Sequence, residues 1–145
     1  MIVIEQVPEK IMNDDAILAF PDECCGFMFG YEEASGNRVV TQALPIHNSA
    51  TENRKRRFEI SPRDYLKGEQ YALDNELQLL GIYHSHPNHP AVPSEHDRIA
   101  AQPWFSYVII SVGEDGVKNA RSWVLNNNSQ FDEEVYSNQL TNTNK

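Results

Sequence analysis

His84-Ser85-His86, followed by Ser94 and then Asp97, is the stretch of this chain whose residue types and spacing could do chemistry. Two histidines at i and i+2 on a strand project from one face, about 6.5–7 Å apart along the backbone. Their imidazoles can converge on one ion, with zinc–nitrogen distances of about 2.0–2.1 Å. PNHPAVP, just after them, holds three prolines in seven residues and cannot be regular structure. Such a loop can turn the chain and let a following helix return Asp97 to the same ion. Two histidines and a carboxylate leave the fourth tetrahedral position to water, the pattern of a catalytic zinc site and not of a closed structural one. Zinc bound there would bring the pKa of that water towards neutrality and polarise a substrate carbonyl.

Each residue also has a plainer reading. Either histidine alone would pass as an ordinary surface or core residue; the pair at strand spacing, ahead of an irregular loop, points to a metal. Asp97 reads equally as the acidic third residue of a helix capped by Ser94, a role compatible with ligation because helix entry orients both side chains. His89, between prolines, and His96, turned about a third of a helical turn from Asp97, are weaker candidates. Hydrolysis further needs a group that takes a proton from water and delivers it to the leaving amine. Glu23, beside an apolar strand, is the best-placed carboxylate, although a buried glutamate without a partner is costly. Spacing alone leaves that assignment open.

The elements that must position these residues follow from periodicity and turn signals. Residues 8–19 carry a rough helical pattern with Pro8 in its first turn and Pro21 beyond its end. CCGFMFGY reads as a buried strand, and Asn37 to Leu44 as its partner across a turn at Ser35-Gly36-Asn37. A polar loop, 47–57, leads to an expected short strand at Phe58-Glu59-Ile60. Ser61-Pro62 then opens a helix expected to reach about Leu77. LLGIYHSH is a strand, SEHDRIAAQ a short helix, and FSYVIISV and VKNARSWVL two strands joined at Gly113-Glu114-Asp115-Gly116. This order predicts an α/β (α+β) fold, a single mixed sheet flanked by helices. Residues 1–136 form the expected domain, and 137–145 a polar, disordered tail.

With 145 residues, 40% of them hydrophobic and 23% charged, the chain is expected to be one globular domain. No run approaches the length of a membrane span, and the N-terminus lacks the look of an export signal, so a cytoplasmic setting is expected. A net charge of -9 argues against nucleic acid as a partner. Against that background Arg54, Lys55, Arg56 and Arg57 are consecutive: either a solvated loop or a receiver for an acidic partner. Cys24 and Cys25 are adjacent, which suits packing residues better than a redox pair, since a vicinal disulfide is strained.

His84-Ser85-His86-Pro87 with Ser94 and Asp97 resembles the JAMM motif of the MPN-domain metalloproteases. Pro21-Asp22-Glu23-Cys24-Cys25-Gly26 and Gly30 look like that family's catalytic-glutamate segment, and Asn48 with Arg57-Phe58-Glu59-Ile60-Ser61-Pro62 is similar to prokaryotic members. The resemblance runs from about residue 9 to 125 and implies a cytidine-deaminase-like sheet flanked by helices. It further implies one zinc per chain on His84, His86 and Asp97, with Glu23 as general base then acid and Ser94 stabilising the oxyanion. The implied reaction is hydrolysis of a peptide or isopeptide bond at the C-terminal Gly-Gly of a ubiquitin-like protein. For small stand-alone members the expected substrate is a ubiquitin-like sulfur carrier. Two alternatives stand beside it: a non-catalytic MPN-type interaction module, and a zinc deaminase, whose Pro-Cys-x-x-Cys signature this sequence lacks.

Overall fold

The computed structural model describes residues 1–138. Its strands are β1 (Ile2–Ile4), β2 (Cys25–Glu32), β3 (Arg38–Ile46), β4 (Gln78–Pro87), β5 (Ser106–Gly113), β6 (Gly116–Leu125), β7 (Phe131–Glu134) and β8 (Tyr136–Asn138). Helices α1 (Gln6–Ala19), α2 (Pro62–Asp74) and α3 (Glu95–Ala100) are threaded between them. Among the described residues the strands form one mixed sheet in the order β7-β6-β5-β4-β2-β3-β1-β8. The expected mixed α+β fold, a single sheet flanked by helices, is the one observed. No described helix is long and apolar enough to cross a membrane.

Two hydrophobic clusters lie on the two faces of the sheet. Met12 and Ala16 of α1 pack with Met28, Leu80, Val108 and Ile110 on one face. Ala72, with Tyr65 and Tyr71 of α2, packs with Phe27, Phe29 and Ile82 on the other. β4 and β5 occupy the middle, which is why residues 80–87 and all of β5 are buried. Leu79 and Ile82 both belong to the α2 face although simple alternation would separate them. The reason is an irregularity against β2, where Phe29 pairs with Leu79 and Met28 with Gly81, so that Leu80 is passed over. This bulge turns the rest of β4 by one residue. His84 and His86 consequently share the α2 face with Ile82, while Tyr83 and Ser85 face α1.

β4 and β5 run parallel, with His84 opposite Ile109 and His86 opposite Ser111. Parallel neighbours need a crossover, and here it is the Pro-rich loop followed by α3. The connection lifts the chain off the end of β4 and carries α3 back over it.

Several expected elements shift. Phe58-Glu59-Ile60 is not a strand, because Asn48 takes the place of a strand partner: its Oδ1 accepts from Glu59 N at 3.1 Å, and Ser49 N donates to Glu59 O at 2.9 Å. α2 stops at Asp74, short of Leu77. Glu76 adopts a left-handed φ of 55°, Glu76 N donates to Leu73 O, and Leu77 N donates to Ala72 O, the paired bonds of a Schellman ending. β1, β7 and β8 escaped notice in the sequence. β1 has three residues, and FDEE has no apolar run; its pairing with β6 is reinforced by the bidentate Arg121–Glu133 ion pair, with both bonds at 2.7 Å. The tail boundary expected at Ser137 falls inside β8, which pairs in parallel with β1, and residues 139–145 lie outside the described residues.

Close approach of β4 to β5 depends on Gly81: a Cβ there would stand 1.9 Å from the carbonyl oxygen of Ser106. Gly81→Ala is expected to cost at least about 2 kcal/mol, because backbone and not a flexible side chain must yield. Urea denaturation measures this, and an unchanged midpoint would show that the strands part freely.

Candidate metal centre and active-site cleft

His84 and His86 reach the same face two residues apart, with ring centroids separated by 5.0 Å. Asp97 arrives from the third residue of α3, whose entry is fixed by a capping box. Ser94 Oγ accepts from Asp97 N at 3.0 Å, and Ser94 N donates to Asp97 Oδ2 at 2.9 Å. The plainer reading of Ser94 and Asp97 as helix-entry residues is therefore correct, and that geometry also turns the carboxylate towards the histidines. His84 Nε2 lies 3.2 Å from His86 Nε2 and 3.3 Å from Asp97 Oδ2, and His86 Nε2 lies 3.1 Å from the same oxygen.

This triangle is the size a small cation needs. Ligand atoms at two corners of a zinc tetrahedron with bonds of about 2.05 Å are about 3.3 Å apart. The protonation of the donors agrees. Pro90 O can only accept, so His86 Nδ1, 2.9 Å away, carries the proton and leaves the Nε2 lone pair facing inward. Burial holds the His84 pKa below its ordinary value, favouring the neutral ring. At Asp97, the Ser94 N–H donating to Oδ2 at 2.9 Å favours the carboxylate form. A charged oxygen and imidazole nitrogens converge in a buried space: the three residues can hold a divalent metal. His84 is steadied by Phe58, stacked on its ring at 4.5 Å and 28°.

Two cavities open on either side of the triad. One, of about 440 Å³, is lined by Glu23, His86 and Ser94, with Arg56 and His89 at its wall. The other, of about 490 Å³, runs from His84 and Asp97 into an apolar lining of Phe58, Ile60, Tyr65 and Ile82. Glu23 is buried, and its Oε1 has no hydrogen-bond partner among the described residues. Burial first, and then the charge of Asp97, push its carboxyl up to about 9. A cation in the triad opposes both influences.

His84, His86, Asp97, Ser94 and Glu23 are thus brought to one place. His89 and His96 line the two cavities without joining the triad. Cys24 and Cys25 are free, buried thiols pushed upward by burial, which makes them packing residues. Ser85 was missed by sequence reasoning. Its Oγ accepts from Cys24 N at 2.8 Å while Ser85 N donates to Cys24 O at 3.2 Å, so the residue between the two histidines clamps the residue after Glu23. Its signal is a serine inside an otherwise apolar strand, on the face opposite the histidines. The carbonyl of Pro90 was missed too, since a backbone acceptor leaves no trace in residue type, and Asn48 was marked only by the resemblance, without its bonds to Glu23, Arg57 and Glu59.

Residues 6–126 match the family described as prokaryotic homologs of the JAB domain. A desampylase from Haloferax volcanii is 37% identical over 71% of this chain and 70% of its own length. A desampylase from Pyrococcus furiosus is 32% identical over 77% and 72%. Among solved structures, the solution structure of a Desulfitobacterium hafniense protein superposes with a TM-score of 0.84 at 29% identity, covering 96% of this chain and 93% of that one.

Ser85→Ala should leave Cys24 N buried without a partner, at a cost of about 1–3 kcal/mol. Chemical denaturation checks the loss, and Ser85→Thr should recover most of it. Equal stability of all three proteins would show that the Ser85–Cys24 bond contributes nothing to the fold.

Proposed function

Because the chain belongs to the prokaryotic family of JAB-domain homologues, we propose that it is a zinc peptidase cleaving the bond that follows the C-terminal Gly-Gly of a ubiquitin-like protein. The enzyme class follows from the family, whose curated relatives here are desampylases. The zinc, the residue roles and a ubiquitin-like sulfur carrier as substrate are the finer parts of the proposal. One observation carries it: three ligand atoms 3.1–3.3 Å apart stand at the edge of a cleft that also holds Glu23 and Ser94.

His84 Nε2, His86 Nε2 and Asp97 Oδ2 would hold the zinc. When bound, zinc supplies a Lewis acid that acidifies water and polarises the scissile carbonyl. Glu23, with its unpartnered Oε1, takes the proton from the attacking water and passes it to the leaving nitrogen. Its burial favours the neutral carboxyl once the proton is taken, which suits the return of that proton to the amine. Ser94 Oγ already accepts from Asp97 N, so its own hydrogen is free to donate to the carbonyl oxygen as negative charge builds there. Two free buried thiols accord with a cytoplasmic setting.

Intact-mass spectrometry of a ubiquitin-like sulfur carrier bearing a short extension after Gly-Gly tests the reaction. A mass loss at the carrier's C-terminus, abolished by a chelator, is the expected result. His84→Ala should lose both zinc and cleavage. Elemental analysis that finds no zinc in the active wild-type protein would sink the metal assignment.

Glu23→Gln separates an enzyme from an interaction module. It should keep its zinc yet cleave about 10²–10⁴-fold more slowly. Cleavage at the wild-type rate would remove Glu23 from the mechanism.

A further inference from the structure

Arg54, Lys55, Arg56 and Arg57 have no part in the chemistry above. They lie in the exposed segment between β3 and α2, yet that segment is fastened to the catalytic carboxylate's own backbone. Glu23 N donates to the Arg54 carbonyl at 2.7 Å. Asn48 Nδ2 donates to the carbonyls of both Glu23 and Arg57, at 3.2 and 3.0 Å. Arg54 Nε donates to Ala50 O at 2.6 Å, and Arg56 N to Asn53 O at 2.9 Å, with Asn53 at a left-handed φ of 57°. The basic run is therefore a fixed part of the cleft rim, tied to Glu23 through main-chain bonds.

Its charges are also unspent. Arg38, Arg98 and Arg121 each pair with a glutamate, Glu32, Glu95 and Glu133. Among the described residues none of the four side chains from Arg54 to Arg57 makes an ion pair. Four unpaired cations together are unusual on a chain of net charge -9. Arg56 lines the same cavity as Glu23, His86 and Ser94, whereas the cavity beside His84 has Glu59 and Asp97 in its lining and neither arginine nor lysine. A guanidinium offers a planar fork of donors that matches a carboxylate.

Resting on the reading that Glu23 protonates the leaving nitrogen, the Glu23 side of the triad is the leaving-group side. We propose that Arg56, flanked by Lys55 and Arg57, binds a carboxylate carried within a few residues of the scissile bond on that side. The protein thereby selects substrates whose departing segment is acidic. The carboxylate can be an aspartate or glutamate side chain, or the terminal carboxylate of a very short departing segment; the chemistry recognised is the same.

Binding without turnover tests this. Zinc-loaded Glu23→Gln protein is titrated into three fluorescent peptides, and anisotropy gives each Kd. The first is Gly-Gly-Ala-Asp-Glu amide, the second Gly-Gly-Ala-Lys-Lys amide, and the third Gly-Gly-Ala with a free carboxylate. The acidic peptide, the free-carboxylate peptide or both should bind at least about tenfold more tightly than the basic one. That gap should close as salt rises from about 0.05 to 0.5 M. Adding Arg56→Glu should reverse the preference with zinc content and melting temperature unchanged. Binding of both the acidic and the free-carboxylate peptide no tighter than that of the basic one would overturn the proposal, and so would a preference that Arg56→Glu leaves intact. Tight binding of the third peptide assigns the site to a terminal carboxylate; tight binding of the first alone assigns it to acidic side chains. Wild-type protein with the acidic segment fused behind a ubiquitin-like carrier reports on the peptidase reading separately. Charge-selective binding without any cleavage would sink that reading and leave the anion site standing.

Discussion

Three atoms with lone pairs, His84 Nε2, His86 Nε2 and Asp97 Oδ2, face one another within 3.1–3.3 Å at the buried end of the sheet. Left to themselves such atoms would move apart or bring in protons. They stay together because each is held from behind by something that cannot follow it. The two histidines ride on a strand locked between two neighbours, and Asp97 is fixed by the reciprocal bonds of its capping box with Ser94. A rigid scaffold thus holds the donors at the spacing of a metal's coordination shell, so a cation entering the triad finds its ligands preorganised.

The sheet divides its labour between faces. Towards α2 it presents the histidines; towards α1 it presents Tyr83, whose hydroxyl donates to Asp15 Oδ2 at 2.8 Å, and Ser85, which clamps Cys24. The α1 face thereby helps fix where Glu23 enters, and the α2 face fixes where His84 and His86 stand. The position of Glu23 relative to His84 and His86 is thus set in part by a bond from Ser85, which lies between the two histidines.

The clefts flanking the triad differ in character. One has Glu23, Ser94 and Arg56 in its wall beside Pro90 and Val92, and the other has Phe58, Ile60, Tyr65 and Ile82 beside Glu59, His96 and Gln102. A substrate chain crossing the triad therefore meets different chemistry on each side of the bond to be broken. Asymmetry of this kind supplies direction to a site whose metal ligands alone would not distinguish the two ends of a peptide. The segment from Asn48 to Ile60 builds part of both walls, through Arg56 on one side and Phe58 with Ile60 on the other. It does so without regular secondary structure, because Asn48 supplies the bonds a strand would have given.

The grouping of His84, His86 and Asp97 was legible in the sequence because its signals are local. Histidines two apart on a strand must share a face, and Ser94 with Asp97 three apart must meet at a helix start; both follow from backbone periodicity alone. The main strands and helices were legible for the same reason, while β1, β7 and β8 were not, since short or polar segments become strands only when a neighbour offers hydrogen bonds. Tertiary structure decided what depends on distant partners. It chose the face for His84 and His86, through a bulge at Leu80 that exists only against β2. It returned Asp97 over β4, through the crossover that a parallel β5 demands. It brought Glu23 into the histidines' cleft, through the Ser85–Cys24 clamp across 61 residues of chain. Periodicity reaches only as far as one element, and the placement of one element on another is settled by packing and pairing between residues far apart in the chain.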